Sequence, residues 1–141
     1  MIRLERVVDA LPFGFDALRA EARDEGHTML DNLSAEWTSG TNHFDRAGEA
    51  LFAAYASDSL AGIGGLTQEA AIPGALRMRR FYVRAPYRGF GLGRALAKAL
   101  LAGRETGQPV TANAALGSET FWEALGFQPD RRDGHTHILI G

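Results

Sequence analysis

The chain has 141 residues, 45% of them apolar and 23% charged, with a formal net charge of −2. That is enough for one sizeable core, and it gives no electrostatic reason to expect nucleic acid or an anionic membrane as partner. The absence of cysteine excludes disulfides, zinc–thiolate sites and thiol nucleophiles. Met1 to Arg6 carries charge where a secretory leader needs an apolar run, and no stretch approaches the roughly 20 apolar residues of a membrane span. One domain over residues 1–141 is expected, cytoplasmic, and either monomeric or a homodimer.

In chain order, Ile2, Leu4 and Val7-Val8 suggest a first strand, broken by Pro12 and Gly14. Phe15, Leu18 and Ala22 share one face of a helix that stops at Gly26; Met29, Leu30, Leu33 and Trp37 mark a second, ending at Gly40. Residues 40–49 are polar and mixed, and read as a loop. Glu49 to Ala56 and Leu60 to Thr67 form a hairpin about Ser57-Asp58-Ser59. The glycines in Gly62-Ile63-Gly64-Gly65 point to a bulge or a close backbone approach. After a linker from Thr67 to Gly74, Leu76 to Val83 is a strand, closed by Pro86, which lacks an N–H and pushes Ala85 toward extended geometry.

Arg88-Gly89-Phe90-Gly91-Leu92-Gly93-Arg94 follows, and an apolar helical stripe of Leu92, Ala95, Leu96, Ala99 and Leu100 begins within it. A strand, a glycine loop and a helix in that order expose backbone N–H groups at the positive end of the helix, and glycine lets a phosphate come close. The helix stops at Gly103. Val110 to Ala114 is a short strand, and Ser118 is the expected N-cap of a helix carrying Phe121, Trp122 and Leu125, stopped by Gly126. Phe127 begins another strand, Arg131 to Gly134 turns, and Thr136, Ile138 and Ile140 alternate in the last. The tally is about seven strands and four helices, interleaved but with hairpins at both ends. It argues for a mixed α/β fold with a mostly antiparallel sheet and helices on both faces, not a doubly wound parallel sheet.

Val83-Arg84-Ala85-Pro86-Tyr87-Arg88-Gly89-Phe90-Gly91-Leu92-Gly93 closely resembles the acyl-CoA-binding motif of the GNAT family of N-acetyltransferases. Asn113-Ala114 followed by Phe121-Trp122-Glu123-Ala124-Leu125-Gly126-Phe127 resembles the C-terminal segment of that family at a compatible distance. The resemblance implies acetyl-CoA as co-substrate, with the backbone of Arg88, Gly89, Phe90, Gly91, Leu92, Gly93 and Arg94 around its pyrophosphate. Phe81, Tyr82 and Val83 would pair with the pantetheine amides as an added strand pairs with a sheet edge. The strands over 76–83 and 110–114 would splay apart, with Asn113 and the helix bearing Trp122 flanking the far side. The implied reaction is direct attack of a small-molecule primary amine on the thioester, with the Val83 N–H facing the oxyanion.

Two positions depart from the family pattern. Trp122 stands where a tyrosine commonly protonates the leaving thiolate, and an indole N–H donates a hydrogen bond without giving up its proton. Arg77 stands where many members carry a glutamate base. Glu49, at a strand start, is the candidate replacement, with His43 and His137 as further proton-exchanging side chains. Arg77, Arg79 and Arg80 form a basic cluster in which Arg77 is placed to recognise a carboxylate on the substrate. Trp37 and the 40–49 loop are where acceptor specificity is expected. His135 and His137 share a strand face but lack a third ligand nearby, so no metal is expected. An acyl-CoA-binding module without turnover is the alternative that the vacant acid and base positions suggest. A Rossmann domain is excluded, because its glycines would follow a first strand with an acidic residue roughly 20 positions on.

Overall fold

The computed structural model describes residues 1–132 and 134–141. Among them β1 (Ile2–Arg6), β2 (Ala50–Ala56), β3 (Ser59–Gln68), β4 (Leu76–Val83), β5 (Val110–Ala112), β6 (Gln128–Arg132) and β7 (His135–Leu139) form one seven-stranded sheet in the order β1-β2-β3-β4-β5-β7-β6. All neighbours are antiparallel except β4 and β5, which run parallel. Helices α1 (Phe15–Asp24) and α2 (Met29–Ser39) cover one face, and α3 (Leu92–Leu101) and α4 (Glu119–Ala124) the other. The mixed, mostly antiparallel sheet between two helical layers is the one expected.

The periodicities explain the layers. Phe15, Leu18, Ala22, Leu30 and Leu33 bury their stripe against Leu51, Ala53, Ile63 and Tyr82. Across the sheet, Leu92 and Leu96 meet Ala54 and Ala61, while Ala97 and Leu100 meet Leu66, Leu76 and Met78. Each fully buried leucine contributes about 1.5–3 kcal/mol. The glycines of β3 make close contact possible. A Cβ on Gly62 would lie 2.8 Å from Leu92 of α3, and one on Gly65 would lie 2.6 Å from the Phe44 ring in the 40–49 loop.

The bulge expected at those glycines is present beside Gly62, where Ala61 is an extra residue against the Ala54–Tyr55 step of β2, and a second lies across the ladder, in β4. Ile63 faces Tyr82 and Gly65 faces Arg79, so Arg80 and Phe81 both stand opposite Gly64. Arg80 takes a left-handed φ of 60°, uncommon for a side chain of its size. The extra residue turns Arg80 toward α2, where it makes a two-pronged ion pair with Glu36 at 3.1 and 3.0 Å.

Three local expectations change. β5 ends at Ala112 rather than Ala114, because the Ala114 N–H donates to the Thr136 hydroxyl (2.8 Å) instead of a ladder carbonyl. Ser118 occupies the N-cap position of α4 but does not cap it; its hydroxyl donates to the Ala115 carbonyl at 2.8 Å. The turn expected over 131–134 is shorter, since β6 continues through Arg132, which pairs with His135; Asp133 lies outside the described residues. No helix among the described residues is long and apolar enough to cross a membrane.

Candidate active site

The parallel junction is brief. Only Leu76 with Val110 and Arg77 with Thr111 are in register; beyond Arg77 the edge of β4 that faces β5 is open. A groove of about 660 Å³ occupies the gap. Its floor is β4 from Arg77 to Val83, His27 and Met29 line it beside the start of α2, and the α3 N-terminus, Asn113, Phe121 and Trp122 line it opposite.

The alternation of β4 directs its backbone. The Arg84 N–H donates to the Ala61 carbonyl at 2.9 Å, so the adjacent Gly62–Val83 pair is a non-hydrogen-bonded one. The Val83 N–H and C=O therefore point away from β3, toward the open edge. Arg88 Nε donates to that carbonyl at 2.8 Å, which anchors the glycine loop to the strand it follows.

The Arg88 N–H donates to the Ala85 carbonyl at 3.3 Å, and the N–H groups that follow it up to the first turn of α3 stand without backbone acceptors among the described residues. Gly91 is the N-cap of α3 at φ 85°, with no side-chain cap. An added Cβ there meets nothing within 4 Å, so the loop surface is open at that point. The first N–H groups of a helix lack internal partners and lie at the positive end of its dipole. Gly93 serves packing instead: a Cβ there would come 3.2 Å from the Phe121 ring. These features fit a pyrophosphate.

The charges along the groove follow a pattern that the sequence does not show. Arg88 pairs with Glu25 at 2.5 Å, and the Tyr82 hydroxyl donates to the same carboxylate at 2.6 Å. Hydrogen bonds from Arg88 and then Tyr82 hold Glu25 below the usual carboxylate range. Burial, followed by the Glu25 contact, pushes the Tyr82 phenol well above its ordinary value, and its proton is committed to the Glu25 carboxylate. Arg77 pairs with Glu69 at 3.3 Å and donates to the Gly134 carbonyl. Glu69 also accepts from the Thr111 hydroxyl at 3.0 Å and the Ala71 N–H at 3.2 Å. Arg77 is thus occupied by a carboxylate of its own chain.

Glu49, the base anticipated from sequence, is not among the residues lining the groove. It sits just ahead of β2, buried, with one carboxylate oxygen accepting from the Arg46 N–H (3.1 Å) and the other from the Gln68 N–H (2.9 Å). That is a strap between the 40–49 loop and the end of β3. Glu49→Gln must turn an amide NH₂ toward one of those N–H groups. We expect it to lose about 1–3 kcal/mol of stability while turnover per folded molecule changes less than about twofold; a large loss of kcat at full folding would return Glu49 to the chemistry.

The histidines are equally engaged. His43 contacts the Trp37 carbonyl at 3.0 Å and packs against the Trp37 ring. His135 and His137 point to different partners, Asp130 at 3.0 Å and Glu123 at 2.9 Å. Among the described residues no cluster of three metal-ligating side chains occurs. Trp122 is buried and lines the groove, edge-on to Phe81, Phe121 and Phe127 at centroid distances of 5.1, 4.9 and 5.3 Å. Trp122→Ala should cost about 3–5 kcal/mol, read as a lowered denaturant midpoint, whereas Trp122→Phe keeps most of the packing. Asn113 lines the groove as expected, and His27, Met29 and Tyr87 line it without having been anticipated. His27 and Met29 come from the α1–α2 junction, and nothing in their local sequence distinguishes them from a helix connection.

A parallel strand pair that parts into a groove, beside a helix whose first N–H groups stand free, offers a strand edge and an anion cradle to one extended, phosphate-bearing ligand. Solved structures share this architecture. A protein of Exiguobacterium sp. 255-15 superposes with a TM-score of 0.87 at 23% identity, over 99% of this chain and 93% of its own. Bacillus subtilis N-acetyltransferase YlbP, solved in complex with coenzyme A, gives 0.66 at 19% identity over 100% and 97%. Glucosamine-6-phosphate N-acetyltransferase of Arabidopsis thaliana gives 0.61 at 13% identity over 94% and 95%. No curated protein sequence matches the chain. The chain belongs to the GNAT acetyltransferase family, whose domain model matches residues 13–137, and it is an N-acetyltransferase.

Proposed function

We propose that residues 1–141 act as one catalytic domain that transfers the acetyl group of acetyl-CoA to the primary amine of a small molecule, by direct attack on the thioester. The observation that carries this reading is the open edge of β4 beyond Arg77, ending at an outward-facing Val83 N–H beside the uncapped start of α3. On this reading the backbone of residues 88–94 holds the pyrophosphate, Phe81 to Val83 pair with the pantetheine, and the Val83 N–H donates to the oxyanion as it forms. Trp122 and Asn113 shape the far wall.

No carboxylate among the described residues lines the groove, and His27 is the one histidine in its lining. On this reading an amine with a pKa of about 10 sheds its proton to water rather than to His27, and the departing thiolate, with an ordinary pKa of about 8.5, leaves without a dedicated acid. The expected signature is a kcat/KM that rises with pH up to the pKa of the acceptor itself. The rising limb should move down when a less basic amine is used; a limb fixed at one pH for every acceptor would point to an enzyme base instead. The direct experiment is a thiol-release screen across primary amines, with acetyl-CoA binding measured alongside. Amine-dependent release supports the reading, and binding without release from any amine favours a module that only binds the thioester.

A further inference from the structure

Of the five arginines lining the groove, three are neutralised within the chain: Arg77 by Glu69, Arg80 by Glu36 and Arg88 by Glu25. The other two, Arg79 and Arg94, have no carboxylate within ion-pairing distance among the described residues. They belong to opposite parts of the groove. Arg94 is exposed in the first turn of α3, beside the phosphate cradle. Arg79 lies on β4 next to Met78, whose side chain packs into the core on the α3 side, so by strand alternation Arg79 faces the α2 side.

Arg79 is partly buried, and its only hydrogen bond among the described residues runs from Nε to the Thr67 hydroxyl at 3.3 Å. That bond orients the guanidinium and leaves both terminal nitrogens free. Burial first, then the neighbouring Arg77 and Arg80 guanidiniums, lowers its pKa from the ordinary arginine value, so the site disfavours the charge it carries and gains when an anion arrives. A guanidinium with two free nitrogens suits a planar or tetrahedral oxyanion.

We propose that Arg79 is the anion-recognition residue of the acceptor site, and that the natural acceptor is an amine bearing a carboxylate or phosphate. This rests on the acetyl-transfer reading. Val83, where the thioester carbonyl would lie, is four positions from Arg79 along β4 but only three ladder steps, because the bulge lies between them (roughly 10 Å of strand before the side chain reaches back), so amine and anion sit at opposite ends of a short molecule.

The test uses three probes of equal length: β-alanine, β-alaninamide and 2-aminoethylphosphonate. Each is titrated calorimetrically into the protein with and without CoA, and each is assayed as acceptor. The parent protein is expected to bind an anionic probe about 10- to 100-fold more tightly than the amide. Arg79→Gln should bring that ratio close to one, with acetyl-CoA affinity unchanged, and Arg79→Lys should keep part of it. Preference for β-alanine assigns a carboxylate, and preference for the phosphonate assigns a phosphate. Equal binding of acid and amide by the parent, or an unchanged ratio in Arg79→Gln, overturns the proposal. Failure to bind acetyl-CoA would instead overturn the acetyl-transfer reading, and the titrations without CoA still decide the anion site.

Discussion

Gly91→Glu is expected to weaken acetyl-CoA binding at least about 100-fold, near 2.7 kcal/mol, while the protein remains folded. The substitution puts a carboxylate at the start of α3, where the structure has open space and free N–H donors. The new side chain meets the uncapped N–H groups in place of a phosphate and repels the phosphates that remain. A second effect must be separated from the charge, because Gly91 sits at φ 85° and any side chain there costs roughly 1–2 kcal/mol of stability. Gly91→Ala carries that backbone cost alone, and its acetyl-CoA affinity should fall less than about fivefold on this accounting. Calorimetric titration alongside thermal unfolding gives both quantities. If the glutamate variant bound as tightly as the alanine variant, the phosphates would have to lie elsewhere.

Glu69→Ala should be the most damaging single change to stability outside the apolar core. Side chains of Glu69 and Arg77 are 4% and 14% exposed, and removing the carboxylate leaves a guanidinium with little water to replace it. Breaking such a pair costs about 3–5 kcal/mol. Replacing both residues by apolar ones of similar volume should recover most of the loss, which distinguishes an unpaired charge from a cavity. The same carboxylate gives the fold an acid limit. Burial raises its pKa, but the Ala71 N–H, the Thr111 hydroxyl and Arg77 together outweigh that and hold it below the usual range. Its contribution is complete above the unfolded value of about 4.3 and disappears as pH falls through the lower folded value. Urea midpoints measured between about pH 6 and pH 3 should therefore fall on the acid side for the parent and by a smaller amount for Glu69→Ala, in which Glu25, Asp31 and Asp130 still contribute.

The strand–loop–helix at the centre of the site was legible because its signals are local. Pro86 ends β4, Gly91 starts α3, and the apolar stripe behind it has an unmistakable period. The ion pairs were not legible, because the sheet makes them. Glu25 and Arg88 are 63 positions apart, Glu36 and Arg80 are 44 apart, and neither separation leaves a trace in sequence. Without Glu69 in view, Arg77 looks like the arginine left over for a substrate; with it, that role passes to Arg79. Of the two bulges one is visible in sequence: the glycines of β3 mark the one at Ala61, but the residue with the left-handed φ is Arg80 on the facing strand, which no propensity marks. Glu49 shows the same limit. Its place ahead of β2 is legible, but its absence from the groove lining follows from sheet order, in which β3 stands between β2 and β4.

The opening of β4 away from β5 also bears on how the molecule behaves in a crowded solution. The two outer strands of the sheet discourage any passing chain from adding to them: β1 carries Arg3, Glu5 and Arg6, and β6 carries Pro129, Asp130, Arg131 and Arg132. Charge and proline at a sheet margin are the usual protection against intermolecular pairing. The inviting margin is an internal one, at the Phe81 to Val83 stretch, recessed between α4 and the α1–α2 junction. Walled on both sides by His27 and Met29 and by Phe121 and Trp122, that edge admits an unbranched amide chain more readily than a polypeptide carrying side chains on both faces, so the protein keeps one strand edge open to its ligand while shielding it from its neighbours.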